Sequence, residues 1–379
     1  MRSNIHIIKI LLLPFVLFTF LSGCAGLSDK EDQSVFYPPL PSPPRIQYLT
    51  SFSDPRDLST DETGFSDFIL GEESNQSAII KKPYGVAIRD GVLYVVDIRG
   101  PGYALFDLKN RKFDMIYGSF SGKMRKPINI TIDSDGSKYI TDTIRSLVLV
   151  YDKNNKFVKV MGDGESFKPS DVLIADNKLF ITDIKNHRIL VFDKATDQQL
   201  YTIGSVGSKQ GELFYPTNLA LGPDSHLYVS ETGNFRVQKF TLDGKFVKSF
   251  GKVGTGLGQF ARPKGVAVDH EGRIHVVDAA FENVQIMDKE GRLLMFYGEP
   301  GNDKANINLP TDIFIDYDNV DYFRKYAKPG FDLEYIILVA SQFGTSKVNV
   351  FGFGRMKDME YPDDQALDNS QPGKQETTE

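Results

Sequence analysis

The sequence predicts an all-β fold, a six-bladed β-propeller, and three observations carry that prediction. Six prolines, Pro83, Pro127, Pro169, Pro216, Pro263 and Pro310, open similar units separated by 44, 42, 47, 47 and 47 residues. Periods of roughly 40–50 residues with strand-like content correspond to propeller blades. The first segment of each unit is almost wholly apolar, as in GVAI (85–88), INITI (128–132), VLIA (172–175) and GVAV (265–268). A strand without a polar face needs cover on both sides, so this one lies beside the central channel. The second segments, such as LYVVD (93–97), are nearly as apolar, whereas the fourth, such as KFVKSFG (245–251), alternates. Burial therefore falls outward along a radial blade. Asp135-Gly136, Asp243-Gly244, Glu271-Gly272 and Glu290-Gly291 supply tight turns between strands.

At the N-terminus, Arg2 and Lys9 precede an apolar run from Ile10 to Phe20. Residues 1–23 thus have the layout of a secretory signal, too short to span a bilayer as a stable helix. The run ends in Leu21-Ser22-Gly23-Cys24, which resembles the bacterial lipobox at every position. The resemblance implies that the Cys24 thiol receives a diacylglycerol, that cleavage makes Cys24 the new N-terminus, and that acyl chains such as palmitate tether the protein to a membrane. Each buried methylene contributes about 0.8 kcal/mol, so two or three chains anchor stably where one does not. Ala25, not aspartate, follows the cysteine; by resemblance to Gram-negative lipoproteins this implies the outer membrane, with the leaflet left open. Cys24 is the sole cysteine in 379 residues, which excludes an internal disulfide, a second thiol nucleophile and a cysteine-based metal site.

Residues 24–44 read as the acylated cysteine and a proline-rich spacer, since YPPLPSPP (37–44) favours extended polyproline II and cannot join a sheet. Residues 45–354 form the propeller, and 355–379, poor in large apolar side chains, read as a disordered acidic tail. Of the net charge of −6, the signal carries +2, the spacer −2 and the tail −4, which leaves −2 for the propeller. A nearly neutral body has no electrostatic footprint for nucleic acid. The sixth unit has only three strands before the chain turns polar, while RIQYLTSF (45–52) stands alone upstream of blade one and resembles a fourth strand. The N-terminal strand is therefore expected to complete the last blade, which seals the ring and removes an exposed edge.

The repeats contain PKGVAVD (263–269), GRIHVVD (272–278), Asn186-His187-Arg188-Ile189 and Asn234-Phe235-Arg236-Val237. These resemble the NHL repeat family, whose pattern runs Pro-x-Gly-Val-Ala-Val-Asp, Gly-x-Ile-Tyr-Val-x-Asp and Asn-x-Arg-Val-x-x-Phe. The resemblance spans residues 45–354 and implies a propeller without implying an activity. Tryptophan is absent, which argues against WD40 blades.

Two rings of polar residues are expected on one face of the disc. The second residue after each leading proline is Gly85, Asn129, Asp171, Asn218, Gly265 or Asp312. Asn129, Asp171, Asn218 and Asp312 could present oxygens to a cation such as Ca2+, in the manner of the calcium-dependent lactonase propellers. Glycine, asparagine and aspartate also best tolerate positive φ, so a backbone requirement is the favoured account of this ring. The second strands end in Asp97, Asp142, Asp183, Glu231 and Asp278, with Ser341 in blade six, and turn pinning is the favoured role.

Two insertions stand outside the repetition, at 53–82 and 317–334. The second brings Tyr322, Phe323, Arg324, Tyr326 and Phe331, the composition of a protein contact surface, and equally of a short helix that plugs the channel mouth. No Gly-x-Ser-x-Gly, P-loop or Cys-x-x-Cys-His occurs, so nucleophilic, phosphoryl-transfer and covalent-haem chemistry lack their motifs, and no catalytic residue is assigned. The expectation is a membrane-tethered, NHL-type binding or scaffold module of the bacterial cell envelope with an envelope protein partner. The alternatives are a calcium-dependent hydrolase or lyase using the axial ring, and an accessory subunit of an envelope electron-transfer complex. The last rests on analogy with similar lipoproteins of bacteria rich in multihaem cytochromes.

Overall fold

Each sequence unit folds into one antiparallel sheet, and six such sheets form a propeller in the computed structural model, which describes residues 34–58 and 80–361. Blade 1 comprises Pro83–Arg89, Val92–Asp97, Gly102–Asp107 and Lys112–Ile116. Blades 2 to 5 repeat this meander from first strands Pro127–Ile132, Pro169–Ala175, Pro216–Leu221 and Pro263–Val268. Each leading proline begins its strand, a position where the missing N–H costs the ladder nothing.

Alternation along each strand builds the ring. In blade 1, Leu93 and Val95 join the apolar cluster shared with blade 6, while Tyr94 and Val96 join the one shared with blade 2. Comparable clusters fill the four other interfaces between blades. Successive side chains leave opposite faces of a strand, so a sheet covered on both sides needs apolar residues at consecutive positions. The outer strands face solvent on one side, as the alternating exposure of Phe157–Met161 shows.

Blade 6 is closed by the N-terminal strand, as expected. Its inner three strands are Asn308–Asp316, Phe331–Phe343 and Val348–Met356, and Ile46–Phe52 pairs with the last of these in antiparallel register. The Val86 backbone N–H of blade 1 donates to the Asp312 carboxylate of blade 6 at 3.0 Å, which ties the two ends of the ring together.

Two boundaries differ from the sequence expectation. Within the segment read as a spacer, Phe36–Tyr37 forms a fifth strand on blade 6, paired with Ile46 and Gln47. The reason is aromatic burial: Phe36 packs on Phe331 with ring centroids 5.6 Å apart, and Tyr37 lies 6.1 Å from Tyr297. Burying a large apolar side chain contributes about 1.5–3 kcal/mol, enough to offset the ordering of a backbone residue at roughly 1–2 kcal/mol. At the other end, Arg355 and Met356 complete a strand, and the Tyr361 hydroxyl donates to the Pro44 carbonyl at 2.7 Å. The predicted lipidation site, Cys24, and residues 59–79 of the first insertion lie outside the described residues.

Removal of Arg45–Phe52 deletes the fourth strand of blade 6, which pairs with both Phe36–Tyr37 and Val348–Met356, and exposes Val348–Met356 as an edge. Loss of a single cooperative unfolding transition is expected; a deletion variant that melts like the parent sinks the closure model.

Candidate functional site

The carboxylates that end the second strands are consumed by the backbone around them. Asp142 accepts from the N–H groups of Arg125, Lys126, Ile144 and Arg145, at 2.6, 3.1, 3.1 and 3.0 Å. Asp97 and Asp278 hold four equivalent N–H groups each. Asp183 combines backbone N–H groups with the Asn186 amide and Arg188 guanidinium, and Glu231 takes Phe214 N–H, Asn234, Arg236 and Gln238. Turn pinning is therefore their role. In four units the residue before the leading proline is clamped twice: its N–H goes to the carboxylate in Lys82, Lys126, Lys168 and Arg262. Its carbonyl accepts from the residue after the acid, at 3.0 Å for Ile98 to Lys82 and 3.1 Å for Thr143 to Lys126. In blade 4 the His187 imidazole accepts the Tyr215 N–H at 3.0 Å instead.

This clamp shapes a cavity of about 530 Å3 at the channel mouth on the same face. Three positions recurring from blade to blade line it. Residues before the leading proline contribute Lys126, Lys168 and Tyr215; residues after it contribute Tyr84, Ile128, Ser170, Thr217 and Lys264; and those after the acid contribute Ile98, Thr143, Ile184 and Thr232. Burial, and then the neighbouring Arg262 guanidinium, push the Lys264 ammonium down to about 8. Burial pushes the Tyr84 phenol up to about 12, with the Asp312 carboxylate adding to the rise. No carboxylate or imidazole lines the cavity among the described residues.

Below the mouth, the axial ring comes together as the sequence places it. The Asn129 amide donates to Asp171 at 2.8 Å, and the Asn218 amide donates to Asp312 at 3.1 Å. The Asp171 carboxylate also takes the Leu219 N–H at 2.8 Å and its neighbour Val172 N–H at 2.8 Å. Burial raises both carboxyls, Asp312 to about 7, and mutual repulsion between them adds to the rise at Asp171. The expected backbone reason for this ring is corrected, because none of the six residues has positive φ. Close approach is the reason instead: a Cβ on Gly85 would stand 2.2 Å from the Asn129 amide oxygen, and one on Gly265 would stand 2.7 Å from the Asp312 Cα.

A cation would find four oxygen-bearing side chains here, and the Asn218 amide oxygen, which lacks a hydrogen-bond partner, suits that role. The carboxylate oxygens already accept backbone or amide N–H groups, and Ca2+ takes 6–8 oxygen ligands. The ring alone is therefore a partial cage that waters must complete. No cluster of three His, Cys, Asp or Glu side chains suited to a metal occurs among the described residues.

The aromatic insertion does not act as one surface. Val320–Phe323 is a single helical turn, and Phe323 and Phe331 are buried between blades 6 and 1, Phe323 edge-on to Phe52 at 6.4 Å. Half-buried Tyr322 and Tyr326 share the Lys325 ammonium, 4.1 and 4.8 Å from their ring centroids. Arg324 is exposed and pairs with Asp321 at 3.1 Å. The expectation of a contact surface thus loses Phe323 and Phe331 to the core, because a β-disc with a gap between blades offers them cover that solvent does not. The insertion lines neither the mouth cavity nor the pocket that Asn129, Asp171 and Asp312 line. The mouth lysines, in contrast, were missed by sequence reasoning. Lys126 and Lys168 carried a signal, the basic residue before the leading proline in four units of six (Lys82, Lys126, Lys168 and Arg262), whereas Lys264, after its proline, carried none.

No protein-family model matches the chain. The brain tumor protein of Drosophila melanogaster is 32% identical over 91 residues, 23% of this chain and 9% of that protein, so the chain spans a small part of the curated relative it matches. Among solved structures, a gluconolactonase from Xanthomonas campestris superposes with a TM-score of 0.54 at 14% identity, covering 82% of this chain and 89% of that one. Virginiamycin B lyase from Staphylococcus aureus gives 0.51 at 17% identity, over 71% and 80%. An auxiliary nutrient-binding protein from Bacteroides thetaiotaomicron gives 0.55 at 13% identity, over 72% and 69%. At these identities the likeness is one of fold.

Two outcomes follow. The folded chain holds the protons of Asp171 and Asp312 more tightly than the unfolded chain does, so their contribution to stability is intact below about pH 4 and falls as pH rises toward about 7. The stability gain of Asp312→Asn over the parent should grow across that window in denaturant titrations; a gain independent of pH contradicts the raised carboxyls. Phe323→Ala should cost about 3–5 kcal/mol and Arg324→Ala less than about 1 kcal/mol, so equal small losses in chemical denaturation contradict the core assignment.

Proposed function

We propose that this chain is a lipid-anchored, NHL-type binding module of a bacterial cell envelope, which takes a small ligand in the mouth cavity of its propeller. The observation that carries the reading is the cavity itself. Its volume of about 530 Å3 falls within the roughly 300–1,000 Å3 of small-molecule sites, and its lining mixes isoleucine and tyrosine with hydroxyls and lysines. The described lining holds lysines, tyrosines and hydroxyls but no carboxylate or imidazole. The nutrient-binding protein of similar fold supports a capture role by analogy, and one fold carries unrelated functions. The membrane tether rests on the Leu21-Ser22-Gly23-Cys24 resemblance to the lipobox.

A second reading, a calcium-dependent hydrolase or lyase, is favoured by one observation: two buried carboxylates beside an unpartnered Asn218 oxygen at the axis. A gluconolactonase and a lyase of similar fold make that chemistry compatible with the scaffold.

Two experiments separate these readings. Thermal melting against a small-molecule panel should find ligands that raise the melting temperature of the parent and lose that effect in Ile184→Trp, which fills the mouth. Ligands that stabilise both proteins equally overturn the mouth site. Calcium titration tests the second reading, because an axial ion would raise the melting temperature and Asp171→Asn would abolish the rise. In cells, Cys24→Ala should move the protein from the membrane to the soluble fraction, and retention in the membrane overturns the tether.

A further inference from the structure

The charged residues that line the mouth cavity are all lysines. Lys126 and Lys168 are exposed and Lys264 is half-buried, and their ammonium groups have no hydrogen-bond or ion-pair partner among the described residues. Some lysines elsewhere on the disc do find acceptors: Lys159 bonds Asp197 at 2.6 Å, Lys194 bonds Asp133 at 2.6 Å, and Lys248 bonds Glu290 at 2.7 Å. The five carboxylates at the second-strand ends share this face, yet each is buried and committed to N–H or guanidinium donors. Those acids are turned into the loops and none lines the cavity, so the lysines, with Arg262 beside Lys264, are the charged side chains that an entering molecule touches.

Burying a cation without a partner is costly. At half-buried Lys264, burial and the neighbouring Arg262 guanidinium push the ammonium down to about 8. An anion that entered would relieve this cost, and hydrogen bonds between ionised partners are roughly twice as strong as neutral ones. The apolar part of the lining, Ile98, Ile128, Ile184 and Tyr84, would cover a carbon skeleton and leaves inorganic anions without contacts on that side.

We infer that the mouth cavity binds an organic anion, a molecule with a carboxylate, sulfonate or phosphate head held by Lys264, Lys126 and Lys168 and an apolar body packed on the isoleucines. The inference rests on the mouth being the ligand site and adds the class of ligand. Free molecules and the head groups of larger ones share this chemistry, and a small soluble probe isolates the cavity from any surface effect.

The test uses two dyes with one ring system, 8-anilinonaphthalene-1-sulfonate and its uncharged parent N-phenyl-1-naphthylamine, titrated against the full chain by fluorescence at neutral pH. The anionic dye is expected to bind at one site per chain and more tightly than the neutral one. Lys264→Met should weaken it about tenfold, and addition of Lys126→Met and Lys168→Met should weaken it further. Lys264→Arg, which keeps the charge, should retain binding, and circular dichroism confirms that each variant is folded. If the triple change prevents folding, the Lys264→Met and Lys264→Arg pair decides alone. Equal affinity for both dyes, or anionic-dye binding indifferent to the lysine changes, overturns the inference while the mouth site stands. Binding of neither dye at an Ile184→Trp-sensitive site overturns both.

Discussion

The carboxylate that terminates each second strand is the interaction on which the working face depends. A buried ionised acid is tolerable only when its lone pairs are filled, and here backbone N–H groups from two loops supply most of the donors, with side chains completing the set in blades 3 and 4. The loop that enters the next first strand and the loop that leaves the second are thereby drawn to one point. Asn234 and Arg236 bond Glu231 as Asn186 and Arg188 bond Asp183, and Gln238 joins them at the glutamate. The consequence is positional: acids spent on the backbone fix the loops that carry Lys126 and Lys168, so the side chains lining the mouth include lysines and no carboxylate.

Crowding at the axis is the second constraint. Six first strands cannot all carry side chains at the level of the axial ring, and Gly85 and Gly265 stand where a Cβ would meet Asn129 and Asp312. The space left by Gly265 lets Asn218 of blade 4 reach Asp312 of blade 6 at 3.1 Å. Short polar side chains then satisfy one another across the channel, as buried polar groups must. The price of this closure is two carboxyls whose charged forms are disfavoured, which makes the axis a pH-sensitive part of the fold.

At its rim the propeller recruits aromatic residues from segments that look external. Phe36 and Tyr37 come from a proline-rich stretch, and Phe323 and Phe331 from an insertion, yet all four cover blade 6 and its junctions with its neighbours. The closing blade is assembled from chain ends and has longer inner strands than its fellows, so it exposes more sheet and needs more cover.

The repeat, the number of blades, the closing strand and the two polar rings were legible in the chain, because the leading prolines, the apolar first strands and the strand-end acids recur at fixed intervals. Turn pinning by Asp97 and its equivalents was legible for the same reason. Position in a repeat determines an angle around the disc and a height along its axis. It does not determine what a side chain meets from a blade two or three units away. Tertiary structure alone decided that the axial ring reflects close approach instead of positive φ, that Phe323 is core and not contact surface, and that three lysines converge unpaired on one cavity. Each of these depends on distances between residues tens to hundreds of positions apart, which ring closure sets and local pattern cannot.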